Sequence, residues 1–204
     1  MIPPLCFITD AAAPLPIVDQ AEQAARGGAK WVQLRHKTLN DAEFADLARA
    51  IAARLDPLGA KLIVNDRVEI ARALGCFGVH VGQSDGDPAA IRARIGPDAV
   101  LGLSIETQTQ LAAIPRDCVT YLGVGPVRAT ASKPDHASPL GFDGLASIAR
   151  AISLPSMAIG GLTSVDVADV RRAGCAGIAV VSAISRAAQP DRAARDFLDQ
   201  WSDT

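Results

Sequence analysis

Eight short, mostly apolar runs alternate with helix-patterned segments along this chain, and no other feature limits its fold so strongly. The runs occupy positions 5–8, 31–35, 62–64, 79–81, 99–104, 119–124, 156–159 and 177–181. Helical patterns lie between them. Asn40 with Glu43 three residues on forms a capping-box start, and Phe44, Leu47, Ala48, Ile51 and Leu55 follow at helical spacing. Asp87-Pro88 pairs an N-cap with proline at the first helical position, and Gly96-Pro97 ends that helix. Further helices are predicted at 17–26, 106–113, 142–152, from Thr163 or Ser164 through Arg172, and at 190–201. Strands that are apolar throughout, with helices between them, belong in a parallel sheet covered on both faces. Eight such units predict a closed (β/α)8 TIM barrel, with a doubly wound open sheet as the weaker alternative. No composition break divides the 204 residues, so a single domain over 1–204 is expected.

In a barrel of this kind the polar tails of the strands form one surface, the C-terminal rim. Leu62-Ile63-Val64 empties into Asn65-Asp66-Arg67, and Val79-His80-Val81 into Gly82-Gln83-Ser84-Asp85. Neighbouring strands thus deliver Asp66 and Asp85 to the same rim, an arrangement suited to a divalent cation with oxygen ligands such as Mg²⁺. Either aspartate alone, or Asn65, would serve equally well as a helix cap; their coincidence on adjacent strands favours the metal. Gln33, Arg35 and Lys37 alternate at the end of the second strand, and period-two geometry points all three into the mouth. Two cations there call for a phosphate or pyrophosphate, with ion pairs to loop carboxylates as the alternative.

Ile159-Gly160-Gly161 and Val181-Ser182 form a second anion candidate, because loops after the seventh and eighth strands of such barrels commonly bind phosphate through backbone N–H groups. A lone Gly-Gly would mean only a tight turn. Two anion sites imply two phosphorylated substrates, or one molecule with phosphates at both ends. The stretch 125–141 has no apolar periodicity and reads as an active-site lid carrying Thr130, Ser132 and Lys133, or else as a mobile surface loop. Of the three histidines, His36 is expected to face away from Arg35 and Lys37, His80 to pack within its strand, and His136 to be exposed in the lid. No Ser–His–Asp or Cys–His arrangement is evident.

The net charge of −2 with no basic block, and an aromatic content of 4%, argue against nucleic-acid binding. Cys6, Cys76, Cys118 and Cys175 lack metal or redox spacing and read as small buried hydrophobes in or at the start of strands. The N-terminal residues lack signal-peptide character, and no run approaches the ~18 apolar residues of a membrane span. A cytoplasmic protein that does not engage membranes is expected, and a homodimer is left open.

Several segments together resemble the thiamine phosphate synthase (thiamine phosphate pyrophosphorylase) family: FITD at 7–10, QLRHK at 33–37, LIVNDR at 62–67, GVHVGQSD at 78–85, GLS at 102–104, YLGVGP at 121–126, TASK at 130–133, AIGG at 158–161 and AVVSAI at 179–184. The resemblance implies a (β/α)8 barrel that joins 4-amino-2-methyl-5-hydroxymethylpyrimidine diphosphate to 4-methyl-5-(2-phosphooxyethyl)thiazole, giving thiamine phosphate and pyrophosphate. It implies a dissociative, Mg²⁺-assisted mechanism in which the aminopyrimidine stabilises a methylene cation that the thiazole nitrogen captures. By position, Gln33, Arg35, Lys37 and Asn65 would hold the pyrimidine diphosphate, and Asp66 and Asp85 the Mg²⁺. Lys133 would reach the pyrophosphate and Ser104 would lie at the reacting centre. Thr130 and Ser132 would contact the thiazole, whose phosphate would rest on Gly161, Val181 and Ser182. Two positions depart from a common form of the pattern: Glu106 stands where many members have His, and Arg128 where Phe is frequent. The rivals are a thiazole tautomerase of the same fold, which would use that His and lack part of the diphosphate equipment, and a non-catalytic binder of thiazole or thiamine phosphates, which would tolerate loss of both aspartates.

Overall fold

Strands and helices alternate from Leu5 to Ser202 in the computed structural model, which describes residues 1–133 and 137–203. The strands are β1 (Leu5–Ile8), β2 (Trp31–Leu34), β3 (Lys61–Asn65), β4 (Gly78–Val81), β5 (Val100–Ile105), β6 (Tyr121–Val124), β7 (Ser156–Ile159) and β8 (Gly177–Val180). Each pairs in parallel with its neighbours in sequence order, and β8 returns to β1 through Leu5–Ile178, Cys6–Ala179 and Phe7–Val180. The sheet is therefore a closed barrel, and the open-sheet alternative is excluded. Around it run α1 (Ile17–Arg26), α2 (Asp41–Leu55), α3 (Val68–Ala73), α4 (Pro88–Ile95), α5 (Gly141–Arg150), α6 (Val167–Arg172), α7 (Ser182–Ser185) and α8 (Pro190–Ser202).

Period-two alternation divides the side chains into two apolar bodies. Leu5, Phe7, Val32, Leu34, Val64, Val79, Val81, Leu101, Leu103 and Leu122 point outward and pack beneath the helices. Ile2, Cys6, Ile8, Trp31, Ile63, Val100, Tyr121, Met157 and Ala179 point inward and fill the lower barrel. One step up each strand, the inward positions turn polar or lose their side chains: Gln33, Asn65, His80, Gly102, Ser104 and Gly123. The glycines follow from packing. A Cβ at Gly102 would run into the rings of His80 and Tyr121, and one at Gly123 would lie 3.0 Å from Cε1 of His80. The apolar plug thus ends where a polar floor begins.

Local signals behave as their chemistry requires, with five departures. The Asn40 capping box forms, with Glu43 N–H donating to Asn40 Oδ1 (3.0 Å) and Asn40 N–H to Glu43 Oε2 (3.1 Å). The helix expected at 106–113 is instead a 3₁₀ segment, Gln108–Ala113. Gln110 Oε1 accepts the N–H groups of Glu106 (2.8 Å) and Thr107 (3.1 Å), which holds those residues outside the helix. The second strand stops at Leu34, before Arg35, and the sixth begins at Tyr121 rather than Val119. The turn after β8 winds into α7, which apolar patterning does not reveal in so short a segment. Finally, Cys6 and Cys175 are buried as expected, whereas Cys76 and Cys118 are partly exposed in the turns before their strands. No helix among the described residues is long and apolar enough to cross a membrane.

Candidate active site

The C-terminal mouth opens into a cavity of about 690 Å³. Every residue given a binding, catalytic or metal role from the sequence lines it: Gln33, Arg35, Lys37, Asn65, Asp66, Asp85, Ser104, Thr130, Ser132, Lys133, Gly161, Val181 and Ser182. These residues span positions 33 to 182, so only closure of the barrel brings them together.

Arg35 and Lys37 lie just beyond β2 yet keep its direction. Thr9 extends the β1–β2 pairing by one residue: its Oγ1 accepts Arg35 N–H (3.0 Å) and donates to Arg35 O (3.3 Å). The Arg35 guanidinium then reaches across to the carbonyl of Ser132, a long contact of 3.5 Å. Lys37 Nζ pairs with Asp66 Oδ2. His36 turns aside, its Nδ1 accepting the N–H of Leu39 (3.3 Å).

Asp66 sits at φ +60°, in the left-handed region that few residues other than glycine, asparagine and aspartate enter readily. Its N–H donates to His80 O (2.9 Å), and its carbonyl accepts from Val68 N–H (2.9 Å). Asn65 Nδ2 donates to Asp66 Oδ1 (2.7 Å) and to His80 O (3.2 Å). Asp85 Oδ2 accepts the N–H of Gly82 (2.7 Å), which folds the β4 turn so that its carboxyl approaches Asp66. Burial pushes the Asp66 carboxyl above the usual carboxylate range; Lys37 pulls it back, and Asp85 pushes it further up. Two facing carboxyl groups with their other polar contacts already arranged make an oxygen-only donor pair. Among the described residues no group of three or more His, Cys, Asp or Glu gathers around a common point. The pair fits Mg²⁺, which takes one or two carboxylates and completes its shell with water and phosphate oxygens.

Lys133 Nζ lies 3.0 Å from Glu106 Oε1, so the departure at position 106 supplies a counter-charge to this lysine. Ser132 N–H donates to Thr130 Oγ1 (3.2 Å). The segment after β6 is laced to the β7 turn by Val127 N–H to Ile159 O (2.9 Å) and Arg128 N–H to Gly160 O (3.0 Å). Gly161, at φ +64°, is required by this contact: a Cβ there would stand 2.7 Å from Ala129 O and 2.9 Å from Arg128 Cβ. Arg128 forks onto the buried Asp166 with two 2.8 Å contacts and lies over the ring of Phe142. Asp166 also accepts from Thr163 N–H (2.8 Å) and Oγ1–H (3.0 Å). The second departure therefore ties the segment after β6 to the turn ahead of α6. His136 lies outside the described residues.

Sequence reasoning undervalued His80. It packs within β4 as expected, but its ring forms part of the cavity floor: Nδ1 is 2.8 Å from Tyr121 Oη, and Nε2 is 2.9 Å from Ser104 Oγ. The glycines at 102 and 123, small inward residues on adjacent strands, are the sequence signal that a large side chain crosses there. Burial pulls the His80 imidazole down from 6.5 to about 4, partly opposed by the charge of Asp85. The unfolded chain takes up this proton near 6.5 and the folded chain only near 4, so stability is complete above 6.5 and is lost as the pH falls between them. At pH 5 this amounts to roughly 2 kcal/mol relative to pH 7.5. Urea denaturation at both pH values should show that loss in the wild type and its removal in His80→Asn; equal acid sensitivity in the two proteins would refute the assignment.

A parallel (β/α)8 barrel whose C-terminal mouth gathers carboxylates, cations and a glycine turn has the equipment of enzymes that act on phosphorylated small molecules. A family model described as thiamine monophosphate synthase matches residues 5–184. The chain belongs to that family, and it is an enzyme of the transferase class. It is 44% identical to the thiamine-phosphate synthase of Azorhizobium caulinodans over 179 residues, covering 88% of this chain and 84% of that protein. It is 46% identical over 197 residues to that of Solidesulfovibrio magneticus, covering 96% and 93%. The solved thiamine phosphate pyrophosphorylase from Pyrococcus furiosus superposes with a TM-score of 0.88 at 27% identity, over 98% of this chain and 96% of that one.

Proposed function

We propose that this protein condenses hydroxymethylpyrimidine diphosphate with thiazole phosphate to give thiamine phosphate and pyrophosphate, by loss of pyrophosphate before attack of the thiazole nitrogen. One observation carries the reading: a single cavity holds Arg35, Lys37, Lys133, Asp66 and Asp85 on one side and Gly161, Val181 and Ser182 on the other. That is room and charge for a diphosphate and a monophosphate at once.

In this reading Gln33 and Asn65 orient the pyrimidine diphosphate, while Arg35 and Lys37 meet its phosphate oxygens. Lys133 arrives from the 125–141 lid and leaves Glu106 for the diphosphate. Asp66 and Asp85 would hold Mg²⁺, which supplies neutralisation of the charge that builds on departing pyrophosphate. Thr130 and Ser132 contact the thiazole, and Gly161, Val181 and Ser182 take its phosphate. Ser104 sits at the base of the cavity beside the reacting carbon. The chemistry then needs no protein nucleophile: charge complementarity and alignment of the two substrates lower the barrier. The ion pairing of Glu106 to Lys133 leaves no histidine where a tautomerase of this fold would require one.

Purified protein with both substrates and Mg²⁺ should yield thiamine phosphate and pyrophosphate in equal amounts, and neither when a substrate is omitted. Absence of product under conditions where a family member is active would overturn the proposal.

A further inference from the structure

Tyr121, His80 and Ser104 form a hydrogen-bonded chain that runs from the apolar plug to the cavity. The tyrosine ring packs against Trp31 with centroids 5.2 Å apart and is 2% exposed. Among the described residues its hydroxyl has one hydrogen-bond partner, His80 Nδ1. A phenol carries one proton, and leaving a buried donor unpaired costs about 1–3 kcal/mol. If Nδ1 carried a proton, as in one neutral tautomer or in the imidazolium, the tyrosine oxygen could only accept, and its own proton would be stranded beside Trp31. The low-cost arrangement has Tyr121 O–H donating to a bare Nδ1, with the ring proton on Nε2. Nε2–H then donates to Ser104 Oγ, which has no other hydrogen-bond partner among the described residues.

We propose that Tyr121 holds His80 in its Nε2–H tautomer and that His80 thereby makes Ser104 a dedicated hydrogen-bond donor facing the substrate. Ser104 cannot pass its proton to His80, because the facing nitrogen is already protonated. A serine–histidine base that would strip a proton from the aminopyrimidine is therefore excluded. The serine proton is instead offered to an acceptor atom of the pyrimidine diphosphate. Tyr121 and His80 are positioning residues, acting through Ser104. The identity of that acceptor rests on the function proposed above; the tautomer does not.

Long-range ¹H–¹⁵N correlation of the imidazoles in ¹⁵N-labelled protein at neutral pH separates the two, since it needs no substrate. With His80 assigned by comparison with His80→Asn, the expected pattern is a protonated Nε2 and a bare Nδ1. A protonated Nδ1, alone or together with Nε2, would overturn the proposal. Tyr121→Phe should release the tautomer preference and lower kcat about tenfold with little change in KM for the pyrimidine diphosphate. In a Ser104→Ala background the same substitution should have almost no further effect on kcat. An undiminished effect in that background would show that Tyr121 acts through packing and would sink its role through Ser104. If no thiamine phosphate forms at all, the functional reading fails, while the spectrum still decides the tautomer.

Discussion

Converting both Asp66 and Asp85 to asparagine is expected to lower turnover by more than about 10²-fold while leaving the thermal midpoint nearly unchanged. Asparagine is the informative replacement because Asp66 lies at φ +60°, where asparagine is tolerated but alanine adds about 1–2 kcal/mol of backbone strain. The amide also keeps a group able to accept from Asn65. A loss of activity in this double variant would therefore report on charge rather than on folding. Removing two facing carboxyl groups, one already pushed up by burial and by its neighbour, should if anything relieve the native state. Turnover and magnesium dependence measured together decide the matter. Full activity, or an unchanged response to magnesium, would eliminate the pair as the site of the ion.

Lys133→Met is expected to be nearly as damaging, with kcat reduced about 10²-fold, because in the proposed reaction its cation would act where charge develops on the leaving pyrophosphate. Methionine keeps an unbranched apolar stem, so the contribution of packing is largely retained. Glu106 should behave differently. Its ion pair with Lys133 is partly exposed on both sides, and such pairs are worth about 1 kcal/mol at most. Glu106→Gln should therefore strengthen inhibition by pyrophosphate by no more than about fivefold. Pyrophosphate release under single-turnover conditions, and product inhibition for Glu106→Gln, are the measurements. Equal effects at the two positions would remove Lys133 from the leaving-group site.

The barrel was legible because its strands advertise themselves twice, as short apolar runs and as polar ends at one rim. Gln33, Arg35 and Lys37 could be placed in the mouth from their spacing alone, and Asp66 and Asp85 from their position after adjacent strands. What stayed hidden depends on contacts between distant segments. Nothing near position 128 announces that its arginine meets Asp166, thirty-eight residues on. Glu106 reads as a mere departure from a pattern until Lys133 is found beside it. His80 looks like a packing residue because its strand is apolar, and only Tyr121 and Ser104, from two other strands, give its nitrogens a purpose. The 3₁₀ segment Gln108–Ala113 shows the converse: one side chain, Gln110, captures the N–H groups of Glu106 and Thr107 and sets the start of the segment two residues later than the pattern suggests.

The apolar plug of Ile2, Cys6, Ile8, Trp31, Ile63, Val100, Met157 and Ala179 closes the barrel below the polar floor. Reagents and products must therefore share one doorway at the C-terminal end. Under the proposed mechanism, a cation formed above this floor would have no exit through the bottom of the barrel. One-ended access is in this sense built into the shape of the barrel, and it would shelter the proposed reactive species from water on every side but one.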